Sequence, residues 1–257
     1  MDHCQPSCAQ APPGLSAMPC APRHIARWQP GAAPAIHNEI FASGDEGSGA
    51  GAALALALDG LRVMTSEGVA GHTSQRGVLW VQDKAAIRLS GKPYLPGLPA
   101  PLRGRVVHVA AQCAKDALFA LEEGLRCHDF AFVLGELAGN PRVLDFTASR
   151  RLSLTAQKHG VPLYLVRLGA ARDLSSARMR WDIRAAPSPA ARWNAAAPGI
   201  ASWHGTLFRA RSHAPGQWTL RDDGQSLAAT RAEPENAAPD TLDLVPQSGA
   251  GPLAAHA

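Results

Sequence analysis

The sequence predicts an α/β fold, with a mostly parallel central sheet flanked by helices and antiparallel strands added at the C-terminal side. Three observations carry this. Short apolar runs of about five residues alternate with amphipathic stretches, as in parallel sheets buried on both faces. After Arg172 the rhythm changes to alternating strands without helices between them. No internal repeat interrupts either pattern.

The parallel strands are expected at 36–41, 77–81, 105–110, 130–134 and 162–167. The helices between them are expected at 50–60, 115–126 and 147–159. The second places Leu118, Leu121 and Leu125 on one face with Glu122 and Glu123 opposite. Strands at 178–184, 202–209 and 217–221 extend the sheet. Residues 1–34 carry Pro6, Pro12, Pro13, Pro19, Pro22, Pro30 and Pro34, too many for a helix, and read as a flexible arm. Asp, Glu, Pro, Ala and Gly dominate 222–257, which reads as a disordered acidic tail. A single domain over 35–221 remains.

With 257 residues, 46% hydrophobic and 18% charged, the chain can bury one sizeable core. Its longest apolar run, 50–58, is about half of what a bilayer needs, so a membrane span is not expected. The N-terminus lacks a basic region ahead of an apolar core, and the expected location is cytoplasmic. Five cysteines in no framework spacing suit a reducing compartment. Cys113 and Cys127 are expected as small buried helix residues. The net charge of +4 is unevenly spread: residues 185–220 hold Arg192, Arg209 and Arg211 and no acid, whereas Asp222, Asp223, Glu233, Glu235, Asp240 and Asp243 follow.

The most informative stretch runs from Ile36 through Gly44-Asp-Glu-Gly-Ser-Gly49-Ala50-Gly51, a strand, a glycine loop and a helix start. A working phosphate loop reads G-x-x-x-x-G-K-[ST], in which backbone N–H groups wrap the phosphates, Lys reaches the terminal ones and the hydroxyl binds Mg²⁺. Gly44 and Gly49 have that spacing, but Ala50 stands in the place of Lys and Gly51 in the place of Ser or Thr. Losing one charged contact costs about 1.5–3 kcal/mol. A Walker B acid is missing at its usual place: Gly135 follows the run 130–134, and Glu136 comes one position late, either as a metal ligand or as a strand-end carboxylate on a loop. No Glu follows the strand at 105–110 to activate water. ATP hydrolysis is not expected.

The same glycines fit a dinucleotide fingerprint (Gly47, Gly49, Ala52, with Glu67 downstream), a weaker rival because no catalytic constellation accompanies it. Cys4, Cys8, Cys20 and His24 have a loose zinc spacing in a proline-studded arm, and no metal site is expected there.

The glycine loop, Gly77-Val-Leu-Trp-Val-Gln-Asp-Lys, Tyr94-Leu-Pro-Gly-Leu98, Leu121-Glu-Glu-Gly-Leu-Arg126, Val133-Leu-Gly-Glu-Leu137 and Leu144-Asp-Phe-Thr-Ala-Ser-Arg-Arg-Leu-Ser-Leu154 together resemble ImuA proteins. Ala177-Arg-Met-Arg-Trp181 and Trp203-His-Gly-Thr-Leu-Phe-Arg209 continue the resemblance, which covers roughly residues 35–221. It implies a RecA-like fold and a place in a bacterial cassette for DNA-damage-induced (SOS) mutagenesis and translesion synthesis. The partners it implies are an ImuB-type Y-family polymerase homologue, an error-prone DnaE-type polymerase and RecA. SulA-like division inhibitors are related and give the alternative reading. The resemblance implies no cofactor, and the degenerate loop at Gly44, Gly49, Ala50 and Gly51 agrees with a scaffold that binds rather than turns over nucleotide.

Arg150 and Arg151 open the helix after Phe146, and with Arg167, Arg178 and Arg180 they are expected to form a basic surface for DNA phosphate or a partner protein, or else a solvated helix face. Trp181, Trp193, Trp203 and Trp218 are expected in strand and core packing.

Overall fold

The structure is a computed structural model, and it describes residues 26–66, 76–191, 193, 194 and 196–231. Nine strands form one mixed sheet: β1 His37–Ala42, β2 Gly77–Asp83, β3 Val106–Ala111, β4 Phe130–Ala138, β5 Leu163–Leu168, β6 Met179–Ala185, β7 Ala201–Ala210, β8 Gly216–Asp222 and β9 Leu227–Arg231. Their order is β3-β2-β4-β5-β1-β6-β7-β8-β9. The first six are parallel to their neighbours, and β6 to β9 are antiparallel. This is the expected α/β class, with the antiparallel members where the rhythm of the sequence changes.

Helices α1 Ser48–Ser66 and α2 Lys84–Ser90 cover one face of the sheet, and α3 Ala114–Arg126 and α4 Phe146–His159 the other. The central strands are apolar on both sides because both sides are covered: all six residues of β5 are buried, and Ile40, Leu134, Leu163 and Leu165 are fully enclosed. Their alternate residues feed two cores. Trp80, Phe132 and Val166 join α1 on one face, and Val81, Val133 and Leu165 join Leu121 and Leu125 of α3 on the other. Helix α4 begins where the Asp145 carboxylate accepts from Ala148 N–H at 2.7 Å, and ends at Gly160, whose φ of 68° only glycine adopts without strain.

The boundaries of the domain move outward at both ends. Trp28, expected in a flexible arm, is buried and stacks edge-on against Trp181 and Trp218, with ring centroids 4.8 and 5.5 Å away. An indole can bury about 150–250 Å², so one such side chain anchors a proline-rich segment that has no regular structure of its own. Gly31 N–H donates to Asp59 at 2.8 Å and fastens the segment to α1. At the other end, the tail expected from residue 222 first adds β9. The Asp223 carboxylate accepts from Gln225 and Ser226 N–H, Gly224 takes φ 82°, and Leu227 is buried in the core. The remainder of the arm and the tail (1–25 and 232–257) lies outside the described residues, as do Glu67 and the Cys4, Cys8, Cys20 and His24 group.

Two further expectations are corrected. Cys113 and Cys127 flank α3 as its caps and lie outside the core, Cys113 exposed and Cys127 half-buried, because the buried face of that helix is taken by Ala117, Leu118, Leu121 and Leu125. Trp193 is 82% exposed on the loop between β6 and β7, whereas Trp181, Trp203 and Trp218 are in the core as expected.

Candidate functional site

The glycine loop sits at the C-terminal end of β1, in the middle of the sheet, and leads directly into α1. Open α/β sheets bind their ligands at that end. The loop does not have the geometry of a wrapped phosphate cradle, however. None of Gly44, Gly47, Gly49 and Gly51 takes a positive φ. Gly49 is required by packing: a Cβ there would lie 2.8 Å from both Ala42 Cβ and Val166 Cγ1, where α1 crosses β1 and β5. A Cβ on Gly51 would approach Trp203 Cζ2 at 3.1 Å, and one on Gly44 would approach Leu89 Cδ1 at 3.2 Å. Ala50 is half-buried against the same core. The anion beside the first turn of α1 comes from the chain itself. Glu46 accepts from Ser48 Oγ at 2.9 Å and, through both carboxylate oxygens, from Ala185 N–H at 3.2–3.3 Å. A carboxylate fixed there, beside the positive end of the helix, repels a phosphate.

Glu136 is not a loop residue. It lies within β4, buried, and accepts from Trp80 Nε1 at 2.6 Å, Gln82 Nε2 at 3.0 Å and Ser90 Oγ at 2.9 Å. Burial pushes its carboxyl above the usual range, and the three hydrogen bonds pull against that rise. Gln82 in turn meets His108 Nε2 at 2.9 Å. The carboxylate ties β2, β4 and α2 together. Among the described residues no group of three or more His, Cys, Asp or Glu side chains is placed to hold a metal ion.

The five arginines expected to form one basic surface separate into two groups. Arg167 and Arg180 are buried. Arg167 donates to Gly139 O and the Asp173 carboxylate, both at 3.2 Å, while Arg180 Nε donates to Glu39 Oε2 at 2.7 Å. Both guanidinium groups lie over the Phe41 ring, at 5.7 and 5.0 Å from its centroid. Asp173, which burial alone would raise, is held below the usual carboxylate range by the hydrogen bond and charge of Arg167. These arginines are internal because strand positions 167 and 180 point between the sheet and the 169–178 connection. A sequence gives no sign of that without the acids that face them.

Arg150, Arg151 and Arg178 do reach the surface. Arg151 pairs with Glu122 of α3 at 2.6 Å, which leaves Arg150 and Arg178 for the remaining surface role. They are joined by Arg209 and Arg211, which no motif in the sequence marks, around a groove of about 530 Å³ between α4 and the end of β7. Phe146 and Leu154 line it and are 48% and 55% exposed. Phe146, Arg150 and Leu154 stand four residues apart on one stripe of α4. Arg150, Arg209 and Arg211 form no ion pair with any described residue, and Arg178 donates only to Gln157, at 3.0 Å. The lack of acids between 185 and 220 was the sequence signal for this charge.

Beneath the groove runs a buried polar seam. His37 Nδ1 meets Ser153 Oγ at 2.7 Å, Ser153 meets Ser176 at 2.6 Å, Ser176 meets Ser149 at 3.1 Å, Ser149 meets Ser175 at 2.8 Å, and Ser175 donates to Glu39 at 2.6 Å. Burial, opposed by the charge of Glu39, lowers His37 to about 4, so its imidazole is neutral near pH 7. Each hydroxyl is engaged with a neighbour, and the seam holds the 175–178 wall of the groove against α4. At its end His37 Nε2 is buried without a hydrogen-bond partner, so the network is satisfied at its hydroxyls and not at its imidazole.

No family model matches the chain, and no curated protein matches it. Among the described residues no helix is long and apolar enough to cross a membrane.

Proposed function

We propose that this chain is a non-catalytic, RecA-like accessory protein of the ImuA type. In this reading it serves damage-induced mutagenesis by binding the ImuB-type polymerase homologue, RecA, or both. The observation that carries this reading is the loop between β1 and α1. It occupies the position of a nucleotide site, yet its glycines serve packing against Ala42, Val166 and Trp203, and Glu46 supplies the anion at the helix start. Ala50 and Gly51 provide neither the cation nor the hydroxyl that phosphate and Mg²⁺ need. A mixed sheet with parallel centre and antiparallel C-terminal members is the layout the resemblance implies. The groove around Arg150 and Arg178, with apolar Phe146 and Leu154 inside a basic rim, has the make-up of a docking surface. Partner docking or contact with DNA there needs no cofactor, and the reading places the protein in the cytoplasm with the replication machinery, an error-prone DnaE-type polymerase among its wider partners.

The test is co-purification of the folded full chain with the cassette's polymerase homologue and with RecA, together with ultraviolet mutagenesis in a deletion strain. Binding to at least one partner and restored mutagenesis are expected, with complementation reduced by Arg150→Ala. Binding to neither partner, or sustained release of phosphate from ATP, would overturn the reading.

A further inference from the structure

We propose that the arginine groove is occupied, within the same chain, by the acidic segment 232–257, which therefore acts as a built-in competitor for any acidic partner. The inference stands on the groove alone and does not depend on the mutagenesis reading.

Charge is the first argument. Arg150, Arg178, Arg209 and Arg211 converge on one groove with no described carboxylate paired to any of them. Four guanidinium groups so placed repel one another unless an anion lies between them. The segment after Arg231 carries Glu233, Glu235, Asp240 and Asp243 and no basic Lys or Arg.

Apolar content is the second argument. A purely electrostatic site has no use for Phe146 and Leu154, which stand two helical turns apart, about 12 Å along α4. The acidic segment places Leu242, Leu244 and Val245 directly beside Asp240 and Asp243. Leu242 and Val245 are separated by about 10 Å in extended chain, which suits the two apolar points of the groove. A phosphate backbone offers no such side chains, so an acidic, apolar peptide fits this groove better than a nucleic acid.

The third argument is where the chain leaves the sheet. Arg231 pairs with Trp218, Trp218 with Gly205 and Gly205 with Ile183, so β9 ends level with the middle of β6 and runs towards the end of the sheet that carries Arg178 and Arg209–Arg211. Three strand spacings across, about 14 Å, and five residues along the strand, about 16 Å, put Arg178 about 21 Å from Arg231, and seven extended residues cover that distance. Asp240 and Asp243 come later than that in the chain and have slack to turn onto α4.

The experiment uses the full chain with p-benzoylphenylalanine in place of Leu244 and maps the photocrosslinks by mass spectrometry. Intramolecular adducts to residues 146–157 and 209–211 are expected. Glu233→Gln, Glu235→Gln, Asp240→Asn and Asp243→Asn together should lower their yield at least about tenfold, as should molar salt. Arg150→Glu, Arg209→Glu and Arg211→Glu should lower it similarly, and changing the four acids to Lys in that variant should restore it. The restoration separates a lost contact from a lost fold. Adducts elsewhere on the body, or adducts formed only between two chains, would overturn the proposal. So would crosslinks that ignore neutralisation of the acids but vanish with a single-stranded oligonucleotide, since these would give the groove to a phosphate backbone.

Discussion

Arg180 on β6 donates from Nε to Glu39 on β1 across 2.7 Å, with both side chains buried at the point where β1 and β6 pair in parallel. Glu39 is the hinge between two polar systems: one of its oxygens holds Arg180 and the other accepts from Ser175, the end of the seam that runs to His37. A buried ion pair adds little net stability, because desolvation offsets the attraction, but removing one member leaves the other stranded.

The first prediction follows from that asymmetry. Arg180→Met strips Glu39 of its counter-charge and should cost about 3–5 kcal/mol in urea unfolding, whereas Arg180→Met with Glu39→Gln should recover much of the loss. If the single variant were as stable as the parent, the pair would have no structural role, and Arg180 would again be a candidate for the surface function expected of it.

His37 gives a prediction in pH. Its folded value, about 4, lies below the unfolded value of 6.5, so the unfolded chain binds more protons between the two. The contribution to stability is therefore complete above about pH 6.5 and is lost as pH falls towards 4. The difference amounts to roughly 3 kcal/mol. Urea midpoints measured at pH 7.0, 5.5 and 4.5 should show the decline, and His37→Gln should flatten it relative to the parent.

Much of this fold was legible in the sequence, and the failures have physical reasons. All eight expected strands are present: apolar runs mark β1 to β5, of which β1, β2, β4 and β5 are buried almost throughout, and alternation marks β6, β7 and β8. Helix α2 is not legible because its seven residues carry too little periodicity, although Asp83, whose carboxylate accepts from Ala86 N–H at 2.6 Å, marks its start. Arg167 and Arg180 looked like surface cations because burial of a charge depends on acids distant in sequence, here Asp173 and Glu39. Half of the groove is legible in the sequence, in Arg150 and Arg178, while Arg209 and Arg211 join them only through the pairing of β6 with β7.

Trp28 tests whether the proline-rich segment belongs to the folded body. Trp28→Ala removes an indole wedged between Trp181 and Trp218 and should cost about 3–5 kcal/mol. Tryptophan fluorescence during urea titration reads both the midpoint and the changed environment of the remaining rings. A change in midpoint near zero would show that the segment detaches freely. The exposed Trp193→Ala is the matched control, expected to shift stability by no more than about 0.5 kcal/mol.

The glycine loop yields the sharpest contrast, because two of its glycines are predicted to differ in sign. Alanine is favoured over glycine inside a helix by about 1 kcal/mol, so Gly49→Ala gains that much from the backbone. Against this, the new methyl group would stand 2.8 Å from Ala42 Cβ and Val166 Cγ1, in a place where neither backbone can retreat without disturbing the β1–β5 pairing. Overpacking of this kind costs about 1–3 kcal/mol. The clash wins, and Gly49→Ala should be destabilised overall. Gly47, one residue before α1, has nothing within 4 Å of the equivalent position and no positive φ, so Gly47→Ala should be neutral or slightly stabilising. Thermal unfolding of the two variants, each with and without millimolar ATP and Mg²⁺, reads both terms. A protective shift by nucleotide in the parent that Gly49→Ala abolishes would mean that the loop binds phosphate after all. Equal unfolding temperatures with and without nucleotide, and a lower one for Gly49→Ala alone, are what a loop built for packing α1 onto the sheet requires.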